Sequence, residues 1–253
     1  MTLTEDVVAL FRRLAKDGST AFDVAKELDP YLLELKLYPF HPLLQLGDEL
    51  GAVLEKEPAA SIEMVLRLVG SSLPATRALA CVLLSRLARY NPASWMELAH
   101  HLAADENWEV REYAAHIFDT HGEFEGLAAF HLDYCFEVLS QWVRDADYRV
   151  RRATTNALLG YFLRHPEIGP RLLSLLEPLL SDRSDYVRRN LVFALRTVGK
   201  KQPGLVFSFV EKHLNNLTQE VSDIFRLTLD HRWTRGHEAL RDQILKRLGP
   251  ISA

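Results

Sequence analysis

The sequence predicts an all-α chain of stacked helix pairs, and three observations carry that expectation. Apolar residues recur at i, i+3, i+4 and i+7 through most of the chain, the spacing of a buried helical stripe. One phrase, an acidic residue followed shortly by an apolar-Arg step and an apolar stripe, returns at a nearly fixed period. Nowhere does the chain need a strand, because no stretch alternates apolar and polar residues over a strand's length.

The phrase is clearest in residues 182–203, DRSDYVRRNLVFALRTVGKKQP. Val187, Asn190, Leu191, Ala194, Leu195 and Val198 form its stripe, Asp182 and Ser184 suit the start of a helix, and Gly199 and Pro203 suit its end. Copies begin at Asp105 (DENWEVREYAAHIF) and Asp145 (DADYRVRRATTNALL), which puts the phase valines at Val110, Val150 and Val187, 40 and 37 residues apart. Weaker copies around Thr76 and Val221 lie 34 residues further out on either side. All-helical units at this period read as HEAT-like repeats, so the expected architecture is a right-handed α-solenoid of about thirteen helices.

In chain order, residues 1–60 are expected to form an irregular helical N-terminal cap, since Gly18, Pro30, Pro39 and Pro42 interrupt the pattern and Asp17 and Ser19 suit caps. Residues 61–253 are expected to form one continuous repeat array. Its helices are expected at 62–69, 74–90, 92–103, 106–120, 127–143, 147–164, 168–180, 184–199, 203–213, 218–230 and 236–248. Pro92, Pro166, Pro170 and Pro203 fall at or near helix starts, whereas Pro178 falls late in a helix and is expected to kink it.

Composition narrows the function classes. Of 253 residues 48% are apolar and 25% charged, ordinary values for a globular protein. No apolar run reaches a membrane span, and the N-terminus lacks the uninterrupted apolar block of a secretory signal, so a cytoplasmic protein is expected. Cys81 and Cys135 sit inside apolar helical patterns and read as buried thiols. His100, His101, His116, His121 and His131 crowd one region without metal-ligand spacing, there is no phosphate-cradling glycine motif, and no nucleophile elbow is present. No metal or cofactor is expected. Net charge is −4, but residues 1–127 hold 11 Lys or Arg against 20 Asp or Glu, and residues 128–253 hold 19 against 14. The C-terminal half is thus basic enough to neutralise phosphates locally.

Rotation by 100° per residue brings Arg189, Phe193, Arg196 and Lys200 together on the side opposite the stripe. Positions two before, two after and six after each valine share one face: Trp108, Glu112 and His116; Tyr148, Arg152 and Asn156; Asp185, Arg189 and Phe193. Rings, carboxylates and arginines on successive inner helices are expected to face one groove and suit a charged planar ligand beside a phosphate backbone. Arg111, Arg151 and Arg188, one residue after each valine, are expected to bond along the repeats instead.

These residues resemble the HEAT-like DNA alkylation repair glycosylases of the AlkD and AlkC type, over roughly residues 100 to 230. YVRRNLVFALRTVGKKQPGLVFSFV is similar to a late repeat of that family, and WEVREYA to the helix carrying a Trp and a catalytic carboxylate four residues apart. The resemblance implies Trp108 and Glu112 in those two places, Arg152 as a catalytic-groove arginine, and Phe193 where a second Trp stands; in AlkC-type members the carboxylate corresponds to Glu109. It departs from the AlkD pattern in having Glu for Asp at 112 and Phe for Trp at 193. What it implies is a monofunctional DNA glycosylase, monomeric and cofactor-free, that excises N3- or N7-alkylated purines from double-stranded DNA. Tyr148, Arg149, Asn156, Asp185, Arg189, Phe193, Arg196 and Lys200 would then contact the DNA. The alternative is a non-catalytic repeat scaffold that binds DNA or a protein partner.

Overall fold

The computed structural model describes residues 9–10, 12–13, 24–33, 41–56, 58–119, 124–215 and 217–249. Caps expected at Asp17 and Ser19, and breaks expected at Gly18 and Pro39, lie outside these residues. Among the described residues the regular structure is helical throughout: fourteen α-helices joined by short turns and 3-10 segments, with no strand. No helix is long and apolar enough to cross a membrane.

The chain divides into two compact units, Met1–Leu132 and Asp133–Ala253. In the first, α1 is Val24–Leu32, α2 His41–Leu54, α3 Pro58–Val69, α4 Pro74–Leu87, α5 Met96–Ala103 and α6 Trp108–His116. Helices α2, α4 and α6 pack side by side, with α3 against α4 and α5 against α6. The boundary falls inside α7, Ala128–Trp142, just beyond non-helical backbone at His131, whose Nε2 pairs with the Arg89 carbonyl at 2.7 Å. The second unit continues with α8 Tyr148–Thr154, α9 Leu159–Arg164, α10 Gly169–Leu176, α11 Asp185–Lys201, α12 Pro203–His213, α13 Gln219–Leu229 and α14 Glu238–Leu248. There α8, α11 and α13 pack in a row, α12 pairs with α11, and α14 pairs with α13.

One device recurs at the head of four helices, α4, α6, α8 and α11. Thr76, Val110, Val150, Val187 and Val221, the five phase positions, are all buried. Five residues before four of them, Ser71, Asp105, Asp145 and Asp182 each accept the N–H two residues on, at 2.7 to 3.0 Å, which turns the chain into the helix. One residue after, Arg77, Arg111, Arg151 and Arg188 each reach back six residues to a carbonyl of the same turn, at 2.7 to 2.9 Å. Two of these arginines also bind the next repeat's aspartate with two hydrogen bonds each, Arg77 to Asp105 and Arg151 to Asp182. Charge-assisted pairs of this geometry fix both spacing and rotation between neighbouring helices.

The helix boundaries differ from the sequence expectation in instructive places. The helix expected over 147–164 breaks between Thr154 and Leu159. Thr154 and Thr155 donate their hydroxyls to the Val150 and Arg152 carbonyls, so side chains compete for backbone acceptors where the helix stops. Residues 92–103 start as a 3-10 turn, Pro92–Trp95, before α5. Pro178 does disturb its helix: α10 ends at Leu176 and Glu177–Ser181 is 3-10. Gly199 does not end α11, which runs on to Lys201; nor does Pro30 break α1, which contains it.

Candidate nucleic-acid interface

In the first unit the candidate residues ride on α6. Asn107 caps the helix, its Oδ1 accepting from the Glu109 and Val110 N–H groups at 2.8 and 3.2 Å. That cap fixes the first turn, on which the Trp108 ring is 51% exposed and Glu109 half-buried. Glu112 and His116 follow at successive turns, both half-buried, so the i, i+4, i+8 spacing brings Trp108, Glu112 and His116 onto one face. His116 meets Tyr113 edge-on at 6.4 Å. Behind it lies a cavity of about 20 Å³, bounded also by Asp48, Arg86, Arg89, Asp119 and Glu125, room for roughly one water. Burial raises the Tyr113 phenol well above its usual range, so that wall of the cavity stays uncharged.

In the second unit Tyr148 opens α8 and is half exposed; its ring meets Tyr186 edge-on at 6.2 Å. The Arg152 guanidinium lies on the Tyr186 ring, 5.4 Å from its centre. Arg152 is only 5% exposed, which corrects its expected outward placement: α8 is short, and the side chain packs beneath Tyr186 rather than facing solvent. Asn156 sits in the turn after α8, half-buried, and not on the helix face expected for it. Arg149 is committed to its own cap residue, Nη2 meeting Asp147 at 2.6 Å, and Asp185 pairs with Arg188.

On α11 Arg189, Phe193 and Lys200 are exposed as expected, the Phe193 ring by 54%. Arg189 and Lys200 form no ion pair among the described residues. Arg196 shares their side of the helix but donates Nε to the Leu227 carbonyl at 3.1 Å, tying α11 to the end of α13. Tyr186 was missed by sequence reasoning. Its position one before the phase valine differs from that of Trp108 and Tyr148, two before, so the helical wheel sets it apart although it contacts both Tyr148 and Arg152.

Cys81 and Cys135 are buried free thiols; burial raises both, Cys135 to about 12, so neither is a thiolate near neutrality. Among the described residues no group of three His, Cys, Asp or Glu side chains could hold a metal ion.

Helix pairs in a repeated register, with rings and cations on one helix of a pair, define a helical-repeat protein. The chain belongs to the DNA alkylation repair enzyme family, whose family model matches residues 52–222. Among solved structures it is similar to AlkD2 from Streptococcus mutans, at 20% identity and a TM-score of 0.64 over 81% of this chain and 96% of that one. It is also similar to Pseudomonas fluorescens alkylpurine DNA glycosylase AlkC, solved bound to DNA containing an abasic site analog. There the identity is 19% and the TM-score 0.57, over 98% of this chain and 67% of that one. A third structure, smu.31 from Streptococcus mutans UA159, matches at 22% identity and a TM-score of 0.51, over 90% of this chain and 98% of that one. No curated protein is significantly similar in sequence.

Proposed function

We propose that this protein is a monofunctional DNA glycosylase that releases positively charged N3- or N7-alkylated purines from double-stranded DNA. Family membership supports the repair role. The observation that carries the chemistry is α6, where an exposed Trp108 stands one turn from a half-buried carboxylate, Glu112, on a helix whose first turn Asn107 fixes. An alkylated purine of this class already bears a full positive charge, so its glycosidic bond breaks without a general acid. What remains for the protein is to stabilise the cationic sugar and aim a water at it, the work of a carboxylate. The face of Trp108 attracts the cationic base. Exposed Arg189, Lys200 and Phe193 supply cations and a ring for the duplex. We place the protein, a monomer, in the cytoplasm and assign it no cofactor.

Release of methylated purines from treated duplex DNA tests this reading. Glu112→Gln should slow release roughly a hundredfold, about 3 kcal/mol of lost transition-state stabilisation, with thermal stability and DNA affinity nearly unchanged. Glu109→Gln should stay active. If Glu109→Gln is dead and Glu112→Gln fully active, the carboxylate is Glu109. Burial of Arg152, which the resemblance places in the groove, favours the second reading, a repeat scaffold without chemistry. Wild-type protein that binds duplex DNA yet releases no base would establish it.

A further inference from the structure

The turn after α13 presents cations that the repeat face does not account for. Gly199 leaves a notch in α11: a Cβ there would stand 2.7 Å from the Trp233 ring, so the indole seats directly on the helix backbone. Trp233 Nε1 donates to the Thr228 carbonyl at 2.9 Å, and its ring packs on Phe207 with centroids 5.2 Å apart. Thr234 is buried, its hydroxyl donating to the His231 carbonyl at 2.8 Å. The Trp233 N–H donates to His231 Nδ1 at 3.4 Å. These bonds hold Arg232–Thr234 as a single 3-10 turn. Arg232 and Arg235, exposed on either side of the seated tryptophan, are therefore carried by a fixed backbone rather than a loose loop.

Lys200, one residue from the notch, ends the exposed stripe of α11 that starts at Arg189. His231 lies among these cations. Partial burial, then Arg196, Lys200 and Arg232, lower its pKa below the ordinary value, with Asp230 opposing them. Arg196 is occupied by the Leu227 carbonyl, which leaves Lys200 and Arg232 as exposed charges near one imidazole. Like charges gathered on a rigid surface repel, and an anion placed among them relieves that cost.

We propose that the 231–235 turn, seated in the Gly199 notch, is a phosphate-binding edge of the duplex DNA interface, with Lys200 and Arg232 as its backbone contacts. The inference rests on the duplex-binding reading above and extends it past residue 222, where the family match ends. Point-charge contacts of this kind fix position on the duplex without reading sequence.

The test is the salt dependence of full-length protein binding to an unmodified duplex. Replacing both Lys200→Gln and Arg232→Gln should make the log–log slope shallower by about 1.8, at roughly 0.9 per phosphate contact, and to the same extent on duplexes of different sequence. Lys246→Gln with Arg247→Gln, exposed cations of α14 in the same unit, removes equal charge and should leave the slope unchanged. If the Lys200/Arg232 variant keeps the wild-type slope, or the α14 variant loses as much, this edge is not a contact and the duplex-binding reading stands without it. If wild-type protein binds no duplex at low salt, both fall together.

Discussion

Asp182 holds three hydrogen bonds at once: Arg151 donates Nε and Nη2 at 2.6 and 3.0 Å, and the Ser184 N–H donates at 2.8 Å. Burial pushes its carboxyl up, but the Arg151 and Ser184 donors outweigh burial and hold it below its ordinary 3.8. A carboxyl depressed in the folded state contributes stability above its unfolded pKa and loses it as pH falls through the lower, folded value. Asp182→Asn should therefore cost about 3 kcal/mol at neutral pH, since Arg151 is left without its partner. The difference between wild type and variant should begin to shrink as pH falls past the ordinary carboxylate value, where the unfolded chain takes up the proton, and go on shrinking until the folded carboxyl protonates at its lower value. Denaturant midpoints measured at pH 7 and pH 3 check both; an equal gap at the two pH values would contradict the assignment. This residue was legible beforehand, because its acidic position and the arginine after each phase valine repeat in the chain. Arg152 was not: a helical wheel gives direction, and only the packing of Tyr186 shows that a residue aimed outward is covered.

At the scale of elements, α11 shows how a local preference is overridden. Glycine inside a helix costs about 1 kcal/mol relative to alanine, so Gly199→Ala should stabilise an isolated α11. In the folded protein the added methyl would stand 2.7 Å from the ring atoms of Trp233, which is itself held through Nε1 to Thr228. A flat ring anchored at its edge has nowhere to turn, and overpacking of this kind costs about 1–3 kcal/mol. Gly199→Ala should thus lower the melting temperature, while Gly204→Ala, where nothing lies within 4 Å, should not. A stabilised Gly199→Ala would mean that Trp233 moves freely. In the sequence the same glycine suits a helix end, because Pro203 follows closely; the indole that needs the notch comes more than thirty residues later. Helix 203–213 was legible to the residue because Pro203 starts it unambiguously. The break after Thr154 was not, since the apolar spacing runs through it and only the threonine hydroxyls betray it.

For the whole molecule, the charge split coincides with the division into compact units. Residues 128–132 carry no Lys, Arg, Asp or Glu, so the first unit keeps 11 cations against 20 carboxylates and the second 19 against 14. The split was legible by counting, whereas the unit boundary was not: non-helical backbone at His131 interrupts an apolar pattern that the sequence continues. The consequence is a contest between net charge and local charge. At −4 the whole chain is repelled by DNA at long range, yet counterion release depends on the phosphates a surface neutralises, not on the sum over the molecule. If Arg189, Lys200 and Arg232 each neutralise one phosphate, the log–log slope for duplex binding should be about −2.7, and raising salt fourfold should weaken affinity roughly fortyfold. Titration of a labelled duplex at several salt concentrations measures it. A slope near zero would show that the carboxylate excess governs the encounter and that the exposed cations of the second unit serve something other than a phosphate backbone.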